Sequence, residues 1–147
     1  MWSQKELIDE PEGPVRGWGV FAHGFTLGKD SPAASRICQQ LAREGVGMLR
    51  FDNVGLGDSE GDWSGGSFSR KVQDTVRAAQ FMTETGRPVR LLVGHSFGGS
   101  AAIAAACAAE DVRAVVSIGA PFHARLHSGT SEHAKSARIM CVSQAER

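Results

Sequence analysis

Ser96 is the residue whose type and neighbours most clearly suggest chemistry in this sequence. It lies at the centre of Gly94–Gly98 (GHSFG), between the apolar run Leu91–Val93, which favours a buried strand, and an Ala-rich run, which favours a buried helix. A strand that turns into a helix within a few residues strains its central residue, and flanking glycines let neighbouring elements crowd the turn. The spacing therefore predicts a projecting hydroxyl at a helix N-terminus, where backbone N–H groups favour developing negative charge.

Two further segments have a recognisable order and spacing relative to this motif. Val20–Phe25 (VFAHGF) is an apolar strand ending in His-Gly-Phe, and Leu49–Asp52 (LRFD) is followed by Gly55–Ser59 (GLGDS). Together with the serine motif, they resemble the α/β-hydrolase family, from about Val15 to Phe122. Within that family the sequence is most similar to small bacterial hydrolases that are sometimes fused to an OsmC-like domain, although no second domain of that kind is expected from these 147 residues.

The resemblance implies a site and an activity. Ser96 would be the catalytic nucleophile, the backbone N–H groups of Phe25 and Phe97 would form the oxyanion hole, and Gly94 and Gly98 would provide the geometry of the turn. The implied reaction is hydrolysis of carboxylic esters or related acyl substrates, with a small molecule as substrate. No cofactor is expected.

The acid and the base that should complete the site are not evident. In the family their order along the chain is serine, acid, histidine. After Asp111 the only carboxylate side chains are Glu132 and Glu146, and the later histidines are His123, His127 and His133. Glu132 and His133 keep the expected order, but adjacent residues cannot form the required relay.

Three interpretations of this gap remain open. The chain is a fragment of a longer hydrolase, or a non-catalytic remnant that serves as a binding or interaction protein, or it obtains its base elsewhere. In the third case, the base comes from another chain or from His123, His127 or His133 in an unusual fold-back.

Other polar residues have plainer interpretations. We expect His23 to be a structural hydrogen-bonding residue, His95 to be a packing residue, and Asp52 and Asp58 to shape loops by accepting backbone N–H bonds. The His123-x-x-x-His127 spacing lacks both the intervening Glu and the third ligand of a zinc motif, so no metal is predicted.

The glycine-rich segments do not favour nucleotide binding. Gly55-x-Gly57 is followed by Gly61, one position too late for a dinucleotide fingerprint, and no G-K-[ST] phosphate loop occurs.

Composition narrows the range of partners. Sixteen basic residues balance sixteen acidic ones, so there is no electrostatic reason to expect nucleic acid or an anionic membrane as a partner. The N-terminus is acidic and polar, and no apolar run is long enough to span a bilayer, so a cytoplasmic location is expected.

Cys38 and Cys107 lie in apolar helical patterns and are expected to be reduced core residues. An exposed sheet edge would offer a route to self-association.

Strands alternate with helices, which predicts an α/β fold with a parallel sheet. The predicted strands are 15–23, 46–52, 90–94 and 112–118, with a weaker one at 5–8; the predicted helices are 31–44, 69–85 and 97–109. The resemblance adds a doubly wound, three-layer, mostly parallel sheet that is incomplete at its C-terminal side, with the first of these four strands between the second and third. The chain is predicted to be one domain, residues 1–147, with its core at 15–122. The tail, 123–147, fits either a helix through Ala137, Met140, Cys141 and Ala145 or a short strand at Ile139–Val142.

Overall fold

The structure, a computed structural model, describes residues 4–24, 28–53, 68–120 and 137–141. In chain order the elements are β1 (Glu6–Asp9), β2 (Gly17–Ala22), α1 (Pro32–Arg43), β3 (Val46–Phe51), α2 (Phe68–Glu84), β4 (Val89–His95), α3 (Phe97–Ala106), β5 (Ala114–Ile118) and β6 (Ala137–Cys141). None of the helices in these residues is both long and apolar enough to cross a membrane.

The strands form one sheet in the order β1-β3-β2-β4-β5-β6. The four central strands are parallel to one another, and the two edge strands run antiparallel to their neighbours. The predicted order, in which the strand ending at His23 lies between the next two strands of the chain, is confirmed, because β2 lies between β3 and β4. Since the chain leaves β2 toward β3 and then returns to β4 on the other side, the carboxyl ends of β2 and β4 form a topological switch point, where ligand crevices form in open α/β sheets.

Two hydrophobic clusters cover the two faces of the sheet. The first cluster contains Ala78 and Met82 of α2 and Ala102 and Ala105 of α3, and the second contains Cys38 of α1. The molecule is therefore a three-layer α/β/α sandwich, with α1 on one face and α2 and α3 on the other. Seven of the ten residues of α3 are buried, as its apolar composition predicted.

The ends of α1 follow from its sequence. The Ser31 hydroxyl accepts a hydrogen bond from the Ala34 N–H at 3.4 Å, and Pro32 occupies the first helical position. Gly45 follows the C-cap residue with a φ of +87°, which a side chain would strain. Both boundaries agree with the predicted helix.

Two details of the sequence interpretation are settled by the structure. The tail segment Ala137–Cys141 is a strand that pairs antiparallel with β5, so the strand alternative holds and the helix alternative is wrong there. Cys38 is buried as expected, and burial raises the pKa of its thiol. The expectation for Cys107 was wrong: α3 ends at Ala106, so Cys107 is the C-cap residue and is exposed.

Candidate active site

Ser96 occupies the sharp turn between β4 and α3. Its φ of 54° and ψ of −123° lie in a region that L-amino acids rarely adopt, and it is the one non-glycine residue with a positive φ in the described parts of the chain. Ser96 is also the N-cap residue of α3, yet its side chain makes no capping hydrogen bond. The strained turn therefore holds a serine whose hydroxyl the helix does not use.

Gly94 and Gly98 allow the strand and the helix to approach each other closely at this turn. A Cβ atom on Gly94 would overlap the backbone carbonyl of Gly98. A Cβ atom on Gly98 would overlap the carbonyl oxygens of Ala22 and His23. The first turn of α3 thus rests directly on the backbone at the end of β2, and this contact fixes the position of Ser96 relative to that strand.

The two predicted oxyanion donors differ in what is described. Phe97 is the first residue of α3, where backbone N–H groups have no partner within the helix, and its ring packs edge-on against Phe68 with centroids 5.5 Å apart. Phe25 lies outside the described residues. The Phe97 backbone therefore lies at the N-terminus of α3, directly after Ser96, and the oxyanion role of both residues stays a prediction.

His23 is buried, with 1% of its surface exposed, and both of its ring nitrogens have partners. The backbone N–H of Asn53 donates to Nε2 at 3.4 Å, so Nε2 accepts, and Nδ1 carries the proton that it donates to the Gly24 carbonyl at 2.8 Å. Burial, aided by the positive charge of Lys71, lowers the pKa of His23 to about 4. A neutral, enclosed imidazole with this hydrogen bonding is a structural residue, in agreement with the expectation from sequence.

A group of buried polar side chains surrounds His23, and the sequence interpretation missed it. We call Gln4, His23, Asn53, Lys71 and Asp74 the Lys71 cluster; each is at most 6% exposed. Its members come from the N-terminal segment, the ends of β2 and β3, and α2. The signal in the sequence was positional, because the buried face of α2 runs through 71, 74, 75, 78 and 82 at helical spacing.

The segment that precedes α1 is held by the side chains of β3 and its end. Asp52 Oδ1 accepts the backbone N–H of Lys29 at 2.8 Å, and Asp52 Oδ2 lies 3.1 Å from Lys29 Nζ. Arg50 donates to the Lys29 carbonyl at 2.7 Å and forms a two-pronged ion pair with Asp9. The expected loop-shaping role of Asp52 is confirmed, whereas Asp58 lies outside the described residues.

Within the described part of the chain, no hydrogen bond joins a histidine to Ser96. His23 is engaged as described above, and His95, which immediately precedes Ser96 in β4, has a buried Nδ1 atom without a hydrogen-bond partner. The remaining candidates, His123, His127, His133, Glu132 and Glu146, lie outside the described residues. Within the described ranges no three His, Cys, Asp or Glu side chains come together in a way that could hold a metal ion.

A cleft of about 400 Å³ lies at the end of the sheet where β4 begins, and Ser96 follows the other end of this strand. Its lining includes Val89, where β4 begins, together with Thr83 and Glu84 at the end of α2 and Asp111 after α3. Because Ser96 follows the other end of β4, this cleft does not belong to the candidate site.

Comparisons with known proteins agree with this geometry. The profile of the serine aminopeptidase S33 family matches residues 13–143. Among solved structures, the chain is similar to a dienelactone hydrolase from Anabaena variabilis, with 28% identity, a TM-score of 0.68, and coverage of 80% of this chain and 57% of that one. It is also similar to a monoacylglycerol lipase from Paleococcus ferrophilus, with 27% identity, a TM-score of 0.63, and coverage of 81% and 44%. Est1E from Butyrivibrio proteoclasticus, solved with ferulic acid bound, has a TM-score of 0.73 at 20% identity and coverage of 80% and 49%, which supports the fold alone.

The chain spans about half the length of these solved relatives. No curated protein matches the sequence. The family profile nevertheless covers most of the chain, and the residues that it matches include β2 to β5 and Ser96 with its flanking glycines. The chain therefore belongs to the serine aminopeptidase S33 family of α/β hydrolases.

Proposed function

We propose that this protein is a serine hydrolase that cleaves carboxylic esters or related acyl compounds, with Ser96 as its nucleophile. The observation that carries the proposal is the backbone conformation of Ser96 at the junction of β4 and α3. A strained serine whose hydroxyl does not cap its own helix, at the first turn of that buried helix, is the arrangement that presents a nucleophile to a carbonyl carbon. The similarity to a dienelactone hydrolase and to a monoacylglycerol lipase supports the choice of acyl chemistry.

In the proposed reaction, Ser96 Oγ attacks the substrate carbonyl while a base accepts its proton. The backbone N–H groups of Phe97 and Phe25 then hydrogen-bond the oxyanion of the tetrahedral intermediate. The His23 ring supports this role for Phe25, because it holds the carbonyl of the peptide unit that joins Gly24 to residue 25. A peptide unit is planar, so fixing the Gly24 carbonyl restricts the N–H on the other side of the same bond.

The base and the orienting acid are not assigned. In a serine hydrolase, removing a member of the triad leaves a residual acceleration of only about 10³–10⁴ over water. His123, His127 and His133 are the candidates for the base within this chain, and another chain is the alternative source. A chain without a base would be a binding or interaction protein with the fold of a hydrolase.

The remaining finer features stay predictions: a small-molecule substrate, no nucleic acid or membrane as partner, self-association through a sheet edge, and a cytoplasmic location. They rest on the charge balance and on the sequence patterns.

The test is covalent labelling by a fluorophosphonate probe, followed by intact mass spectrometry. We expect one adduct per chain on the wild type and none on Ser96→Ala. Ser100→Ala is a matched control, since Ser100 lies in the same helix, and it should be labelled like the wild type. The absence of any adduct on a folded, monodisperse wild-type chain would refute a working hydrolase and favour the binding protein.

A further inference from the structure

The Lys71 cluster contains an ammonium group in a place where burial is costly. Lys71 is 1% exposed, and its Nζ donates to Asn53 Oδ1 at 2.7 Å. Burial lowers the pKa of Lys71 to about 7, an effect that Asp74 partly offsets. Buried charges are rarely better for stability than apolar residues of similar size, so stability does not explain the lysine.

Asn53 connects Lys71 to the other charge of the cluster. Its side-chain amide accepts from Lys71 and donates to Asp74 Oδ2 at 3.1 Å, while Gln4 donates to Asp74 Oδ1 at 3.2 Å. The amide oxygen of Asn53 thus faces the cation of Lys71, and its amide nitrogen faces the carboxylate of Asp74. Both charged residues lie on α2. This arrangement fixes the orientation of Asn53 more strongly than neutral partners would.

The fixed asparagine in turn reaches the end of β2. The backbone N–H of Asn53 donates to His23 Nε2, and His23 Nδ1 donates to the Gly24 carbonyl. Lys71 Nζ lies 3.4 Å from the same Nδ1 atom, on the α2 side of the ring. The backbone held in this way is the one on which Gly98 rests, because a Cβ atom on Gly98 would overlap the Ala22 and His23 carbonyls.

We propose that Lys71 is a positioning residue that acts through Asn53 and His23, so that α2 fixes the backbone at the end of β2 against the turn that presents Ser96. This inference rests on the proposed function, because positioning matters only if Ser96 reacts. The substrate does not touch Lys71 in this arrangement. The titratable groups that face the ammonium are Asp74 on its own helix and His23 at the end of β2, with Asp52 beyond the imidazole.

The experiment compares Lys71→Met with Thr75→Val. Methionine keeps the approximate length of the lysine side chain and removes its charge. Because Asp74 then stays buried without the cation, we expect the variant to be less stable than the wild type, and it is compared under conditions where it is folded. Thr75 is a matched control: it is equally buried, one turn further along α2, and its hydroxyl donates only to the Lys71 carbonyl among the described contacts.

The first readout does not depend on catalysis. In protein with ¹⁵N-labelled histidine, NMR should find His23 of the wild type as the Nδ1–H tautomer at neutral pH. The tautomer should be kept in Lys71→Met, because the Gly24 carbonyl and the Asn53 N–H that select it are unchanged. We expect amide exchange at His23 and Gly24 to become at least tenfold faster relative to the amides of β5, with Thr75→Val unchanged. Asn53→Ala removes the same link from the other end and should give the same local change, which keeps the test valid if Lys71→Met does not fold.

The second readout is the rate of fluorophosphonate labelling at Ser96, which we expect to fall about 10–100-fold in Lys71→Met, the size of effect that a small misplacement of reacting groups produces. Unchanged relative exchange at His23 and Gly24 together with an unchanged labelling rate in a folded Lys71→Met would overturn the inference. If the wild type is not labelled at all, the proposed function fails, and the NMR readout alone then decides whether Lys71 positions this backbone.

Discussion

Because the backbone of Ser96 is strained, Ser96→Gly should be more stable than Ser96→Ala, although glycine usually makes a protein less stable than alanine does. A non-glycine residue at φ 54° and ψ −123° costs about 1–3 kcal/mol, and glycine adopts positive φ without this penalty. Alanine keeps the Cβ atom and therefore the strain, while both variants lose the hydroxyl. The comparison of Ser96→Gly with Ser96→Ala thus isolates the backbone term.

The expected magnitude is a difference between two effects. Glycine loses about 0.5–1 kcal/mol relative to alanine because its unfolded chain is more flexible. Subtracting this from the strain of about 1–3 kcal/mol leaves Ser96→Gly more stable than Ser96→Ala by about 0–2.5 kcal/mol, with a midpoint of about 1 kcal/mol. For a chain of this size, the midpoint corresponds to a rise in Tm of about 3–5 °C.

The assay is urea unfolding of both variants, with thermal unfolding as a second measurement. A matched pair at Ser100, which lies inside α3, should give the opposite order, with Ser100→Gly about 1 kcal/mol less stable than Ser100→Ala. If Ser96→Gly is less stable than Ser96→Ala by as much as Ser100→Gly is less stable than Ser100→Ala, Ser96 carries no backbone strain and the observation behind the proposed nucleophile is lost.

Two further predictions concern the surroundings of the turn. Gly98→Ala should destabilise the fold by about 1–3 kcal/mol or more in urea unfolding, because the carbonyls it would overlap are backbone and cannot swing aside. Gly17→Ala, with nothing within 4 Å of the added Cβ, should change stability by less than about 1 kcal/mol, and equal effects at the two sites would contradict the close contact. Since the pKa of His23 is lowered to about 4, the unfolded state binds the proton first as the pH falls. The free energy of unfolding should therefore drop by about 3 kcal/mol between pH 6.5 and 4 in the wild type but not in His23→Gln, and equal pH dependence in both would place the titration elsewhere.

Much of the fold could be predicted because several local signals agree. Ser31, Pro32 and Gly45 mark the ends of α1 by three independent preferences, and the structure places the helix between them. The strand order could not be predicted from such local signals. Alternation of strands and helices predicts a parallel sheet but not the order of its strands, and the order came from the resemblance to a family. For Ala137–Cys141, five residues are too few to separate the periodicity of a strand from that of a helix, and pairing with β5 decided the outcome.

The candidate site also contains both residues that could be predicted from the sequence and residues that could not. Ser96 could be found because the turn that strains it requires small residues at fixed positions, which leaves a pattern in the sequence. The Lys71 cluster left only the helical spacing of Lys71 and Asp74 on the buried face of α2, since its members lie up to 70 residues apart and are polar residues in places where apolar ones are expected. The acid and the base of the site left neither a local motif nor a helical spacing in the sequence, because residues that meet only in the folded chain need no regular spacing.

The central position of β2 in the sheet has a consequence for folding during synthesis. β2 ends at Ala22, but one of its two neighbours, β4, does not begin until Val89, so the ribosome releases the middle strand long before both of its partners exist. Until then one edge of an apolar strand is open, and open edges of this kind pair with other chains. Pairing over such long separations is also slow. Nascent chains are therefore most exposed to aggregation in the interval between β3 and β4, and the same segment that completes the sheet also delivers Ser96.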